Sequence, residues 1–220
     1  MFTADNLQAI ARQHFQRRQV EHALWTWFSG EKSDAPPVFL TRIKKLLNLD
    51  FQVTIFRDGN ETGAARHAFH DHEPQGQGSE TRYSPFDVFC LAIGLDLLDL
   101  GFKQSEVVFL LRHVRGDLAR EFAAILLSPP AARMTQETDN RLFMTVGKVE
   151  LVERISMPSA TPVILKPKFA RGLEAASELI DHVGYSDRKR ILIEIGNTAA
   201  LICIHLSECP APRKGRPPKR

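Results

Sequence analysis

The sequence predicts an α+β protein in two unequal parts, a mostly helical stretch up to residue 128 and a small unit over 140–209 of antiparallel strands plus one helix. Three observations predict it. Apolar residues keep helical spacing through much of the first part, SPPAARMTQETDN (128–140) has breakers and no period, and short β-branched runs dominate beyond it. At 220 residues, 43% apolar and 25% charged, the chain can bury a proper core and is neither fibrous nor disordered in composition.

Taken in order, residues 4–28 read as one helix, with Leu7, Ile10, Ala11, Val20, Ala23, Leu24 and Trp27 on a stripe and Gly30 as the stop. This N-terminal helical segment, 1–35, ends in the connection EKSDAPP. VFLTRIKKLLNLD then forms a helix with an apolar side (Phe39, Ile43, Leu46, Leu47) and a cationic one (Arg42, Lys44, Lys45). FQVTIFR (51–57) alternates and predicts a strand; a polar, glycine-containing loop and the extended TRYS complete a hairpin. Helices follow over 85–100 and 104–127, with Ser84 and Asp87 at the start of the first and Gly101 in the left-handed turn between them. In the second part RLFMTVGKVELVERI and TPVILKPKF read as strands, FARGLEAASELIDHV as an amphipathic helix, and RILIEI and TAALICIHL as two strands joined by a Gly196-Asn197 hairpin turn.

The segment RYSPFDVFCLAIGLDLLDLGFKQSEVVFLLRHV (82–114) carries Arg82, Tyr83, Ser84, Asp87, Leu100-Gly101-Phe102, Glu106-Val107 and Leu110-Leu111 in order. In these devices it resembles the MerR-type winged-helix regulators, from the wing through the following helix pair. The resemblance implies a winged-helix DNA-binding body over 36–128. It departs from the family in lacking the Thr-Leu-Arg-Tyr-Tyr run of the reading helix, whose nearest counterpart is Leu40-Thr41-Arg42-Ile43-Lys44-Lys45, and in lacking the long dimerisation helix. On this reading Thr41, Arg42, Lys44 and Lys45 contact DNA from the helix, and Arg57, Arg66, Arg82 and Tyr83 from the wing.

The end of the chain, PRKGRPPKR, places five cations in nine residues, while the net charge of the whole chain is only +3. Lys214-Gly215-Arg216-Pro217, flanked by Arg213, Lys219 and Arg220, resembles an AT-hook, which implies a minor-groove anchor with an AT preference over 210–220. Glycine lets the backbone approach the groove floor and proline keeps the chain extended, so that Arg216 can insert where the negative potential is greatest.

Other chemistry is weaker. His67, His70, Asp71, His72 and Glu73 suggest a metal site, but the glycines around them favour a polar loop that titrates near neutrality, so no metal or cofactor is expected. Asp181, His182, His205 and Ser177 form no nucleophile–base set at the level of sequence, and no enzyme is expected. Cys90, Cys203 and Cys209 are odd in number with no CxxC pair and read as reduced thiols. With no apolar run of ~20 residues and no signal-like start, the expected location is cytoplasmic, at the nucleoid. The expected protein is thus a homo-oligomeric regulator of transcription on double-stranded DNA, with residues 140–209 for oligomerisation or sensing. The alternative is an architectural adaptor that coats DNA without reading it.

Overall fold

In the first helical stretch the chain breaks where the sequence pattern does not. The computed structural model describes residues 9–52, 65–70, 81–127, 141–147, 167–181 and 190–210. Residues 9–11 are helical, strand β1 (Phe15–Gln16) follows, and helix α1 occupies Arg17–Ser29. Ile10, Phe15, Val20, Ala23 and Leu24 are all buried, so a helix–strand–helix path satisfies the same apolar spacing as the single helix expected over 4–28. Gly30, at φ 74°, ends α1 by returning its N–H to the Thr26 carbonyl at 2.9 Å.

Helix α2 (Pro37–Gln52) buries Phe39, Ile43, Leu46, Leu47 and Asp50. Its length corrects the expected strand over 51–57: Phe51 and Gln52 finish the helix, and 53–57 lie outside the described residues. Strand β2 (Arg82–Tyr83) has its described partner elsewhere. It pairs antiparallel with β1, Phe15 opposite Tyr83 and Gln16 opposite Arg82.

Helix α3 (Pro85–Asp99) is apolar on every side and lies at the centre, with Val88 to Ile93, Leu95 and Leu97 all fully buried. Its start is as expected. Ser84 Oγ accepts from Asp87 N at 3.2 Å while Asp87 Oδ2 accepts from Ser84 N at 2.9 Å, a reciprocal capping box. Its end is also as expected: Gly101 sits at φ 83°, with Gly101 N–H bonded to Leu98 O and Phe102 N–H to Leu97 O, both at 3.0 Å. That double return is the Schellman arrangement, and it folds Phe102 back into the core. Helix α4 (Gln104–Leu127) begins with Glu106 Oε2 accepting from Lys103 N at 2.8 Å.

Strands β3 (Leu142–Gly147), β4 (Lys168–Arg171) and β5 (Arg190–Glu194) form an antiparallel sheet in the order β4-β3-β5. Helix α5 (Leu173–Asp181) covers one face through Ala175, Ala176 and Leu179 against Phe143, Ala170 and Leu192. On the other face Leu142, Met144, Val146 and Ile193 join the main core.

The last expected strand is a helix. Residues 196–207, read as a hairpin turn and strand, form α6 (Gly196–Ser207), and Glu194 Oε1 accepts from Asn197 N at 2.9 Å at its start. A short apolar run does not by itself distinguish a strand from a helix buried on several sides. This helix packs against α1, α3 and α4, and Ala199, Ile202, Cys203 and Leu206 belong to the same core as Val20, Leu24 and Phe89. The core thus continues past the breaker stretch at 128–140. The architecture is mixed helix and strand with two small antiparallel sheets.

Candidate nucleic-acid interface

Helix α2 separates its side chains by function. Thr41, Lys44, Lys45 and Asn48, at i, i+3, i+4 and i+7, are all exposed and share its outer face. Thr41 Oγ1 donates to Pro37 O at 2.7 Å, which leaves the hydroxyl oxygen able to accept. Arg42 lies to the side of this stripe and is engaged within the fold: its guanidinium donates to Asp99 Oδ1 and to Leu95 O, and stands 5.9 Å from the centroid of the Phe28 ring.

The inner face of α2 is held by charge. Asp50, fully buried, accepts from Ala68 N at 3.0 and 2.9 Å through its two oxygens and from Phe69 N at 3.1 Å. Arg112 of α4 donates Nε to Asp50 Oδ1 at 2.9 Å and also bonds the Asp50 carbonyl. One helical turn on, Arg115 bonds Ala68 O and Asp87 Oδ1, with its guanidinium 4.8 Å from the Phe86 ring centroid. Two carboxylates and two guanidinium groups thus pin the segment 65–70 between α2, α3 and α4. Each charge has an opposite charge and hydrogen bonds, the condition under which a buried ion survives.

Rings close this network on its outer side. Phe51 and His70 lie 4.9 Å apart by centroid, and His70 and Tyr83 5.1 Å. Burial lowers His70 to a pKa of about 4, and its Nε2 has no hydrogen-bond partner among the described residues. Burial likewise raises the Tyr83 phenol above its ordinary range, against the bond and charge of Arg17.

These positions sort the expected contacts. Thr41, Lys44, Lys45, Arg66 and Arg82 are exposed. Tyr83 is not a surface contact, because its ring is 3% exposed and packed on His70. Arg57 and the tail residues Arg213, Lys214, Gly215, Arg216, Pro217, Lys219 and Arg220 lie outside the described residues, as do Asp71, His72 and Glu73. The chain reaches the tail beside α1, where Gln19 Nε2 donates to Pro210 O at 3.1 Å. Among the described residues no three His, Cys, Asp or Glu side chains cluster as metal ligands would, and no helix is long and apolar enough to cross a membrane.

No family model, curated protein or solved structure matches the chain. Sequence reasoning missed Asp50, Arg112 and Arg115, although a signal existed. Asp50 stands four residues after Leu46 on the apolar face of its helix, and Arg112 and Arg115 interrupt the apolar stripe of α4. Charges at core positions call for opposite charges.

Proposed function

We propose that the protein binds double-stranded DNA and regulates transcription, laying the outer face of α2 on the duplex and the tail 210–220 in an AT-rich minor groove. The observation that carries this reading is the exposed stripe of Thr41, Lys44, Lys45 and Asn48 on a helix whose opposite face is fixed by the Asp50–Arg112 pair. A rigid helix with two lysines and two short hydrogen-bonding side chains suits phosphate contacts at its edges and base contacts between them. Arg66 and Arg82 supply further exposed cations, and the devices shared with MerR-type regulators over 82–114 support the same reading. The activity requires no cofactor and no catalytic group, and it places the protein at the nucleoid.

One observation favours the architectural alternative. Arg42, the side chain best suited to reading guanine, is committed to Asp99 and Leu95. Lysine contacts to phosphate alone give affinity without sequence preference. Competition binding of selected against random DNA separates the two: a specificity ratio near one would leave only the architectural role. Deleting residues 212–220 should flatten the salt dependence by up to ~4 to 5 logarithmic units per decade of salt, since five tail cations release counterions. An unchanged slope would remove the tail from the interface.

A further inference from the structure

Strand β5 is an edge of the three-stranded sheet. Ile195 N donates to Leu142 O at 2.8 Å, and the register sets Met144 opposite Ile193 and Val146 opposite Ile191. Bonded pairs alternate along an antiparallel ladder, so Ile191, Ile193 and Ile195 turn their backbone groups to β3. Arg190, Leu192 and Glu194 turn theirs away from the sheet, with the Glu194 carbonyl also accepting from Thr198 Oγ1 at 3.3 Å. Among the described residues no strand pairs with that edge. A run of outward amides and carbonyls is a template for another strand.

We propose that β5 is a dimerisation edge, at which a second copy of this chain adds its own β5 antiparallel in the register centred on Leu192. In this register Leu192 meets Leu192 of the partner subunit in a bonded pair, and the sheet continues as six strands across a two-fold axis. RILIE is self-complementary in charge when read antiparallel. Arg190 stands opposite the partner's Glu194, and Ile191 opposite the partner's Ile193. Opposite charges placed directly across a pair of strands stabilise it, and like charges destabilise it.

The other edge of the sheet shows the contrast. KFAR of β4 carries a cation at each end, so antiparallel self-pairing would set Lys168 against the partner's Arg171. Arg171 is moreover 3.5 Å from Glu121 of α4. Charge thus closes β4 to a second copy and leaves β5 open to one. Burial raises the Glu194 carboxyl above its ordinary range, against the bonds from Asn197 and Gly196 at the start of α6 and the charge of Arg141.

Sedimentation of the full chain at tens of micromolar tests the proposal, with an expected mass of about twice 24.8 kDa. Arg190→Glu, which sets two carboxylates face to face, should return the mass to that of one chain, while Arg190→Lys should retain the dimer. Leu192→Cys should form an intermolecular disulfide on mild oxidation, because Cα atoms in a bonded antiparallel pair lie ~5.5 Å apart, within disulfide reach. Ile191→Cys should not, because Ile191 faces Ile193 across the axis. Circular dichroism of each variant separates loss of pairing from loss of folding. A monomeric wild-type chain, a dimer that survives Arg190→Glu, or a folded dimer whose Leu192→Cys variant does not cross-link would each overturn the proposal.

Discussion

Asp50 and Arg112, 62 residues apart in the chain, meet in the interior with Nε and Oδ1 at 2.9 Å and side chains 0% and 3% exposed. Removing one partner leaves the other charged and buried. Arg112→Met should therefore lower the unfolding free energy by about 3–5 kcal/mol in urea titrations. Asp50→Leu with Arg112→Met should recover only part of this loss, because the amides of Ala68 and Phe69 lose their acceptor, at about 1–3 kcal/mol. Full recovery in the double variant would show that the carboxylate does not hold the 65–70 segment.

Two opposed groups, His70 and Asp96, contribute to the pH dependence of stability. The folded pKa of His70 is about 4 against an ordinary 6.5, so below pH 6.5 the unfolded chain takes up a proton that the folded chain refuses, and stability falls with falling pH. Burial, aided by the charge of Asp99, raises Asp96 from 3.8 to about 6. There the folded chain keeps a proton that the unfolded chain releases, and stability rises as pH falls through the same window. Each contributes a slope of about 1.4 kcal/mol per pH unit. Asp96→Asn should thus steepen the loss of stability between pH 6 and 4, and His70→Phe should reduce or reverse it. Equal slopes in chemical denaturation of wild type and Asp96→Asn would contradict the assignment.

Two glycines should respond with opposite signs. At Gly101, φ 83° lies in the left-handed region, and Gly101→Ala should destabilise by about 1–2 kcal/mol. At Gly116, inside α4, a Cβ would meet nothing within 4 Å, and Gly116→Ala should stabilise by about 0.5–1 kcal/mol. Thermal melts of the two variants check both.

On DNA, Lys44→Ala with Lys45→Ala should weaken binding and reduce the salt slope by about 2, without loss of folding, since both side chains are exposed. Arg42→Ala should instead act on stability, through the lost Asp99 bond and Phe28 packing. Anisotropy titrations over a salt series, beside urea melts, distinguish the two outcomes.

Where a single residue determines local geometry, the sequence was sufficient. Ser84, Asp87 and Gly101 announced both ends of α3, and the helical spacing of α2 announced its exposed and buried faces. Where tertiary partners decide, it was not. TAALICIHL became α6 because several helices surround it, and FQVTIFR lost its first two residues to α2, although β-branched and aromatic composition favoured a strand. The exposed stripe was legible in Lys44 and Lys45, but the commitment of Arg42 was not, because it depends on an aspartate 57 residues away.

The packing of α6 against α1 has a consequence during synthesis. Cys209 Sγ reaches Gln19 O at 3.2 Å across 190 residues, and Lys32 meets Glu208 at 2.8 Å. The apolar face of α1 waits for a helix that follows every other described element in the chain. A growing chain stopped before residue 196 has every other described element but an open core, and it exposes the apolar surface that makes incomplete chains prone to aggregate.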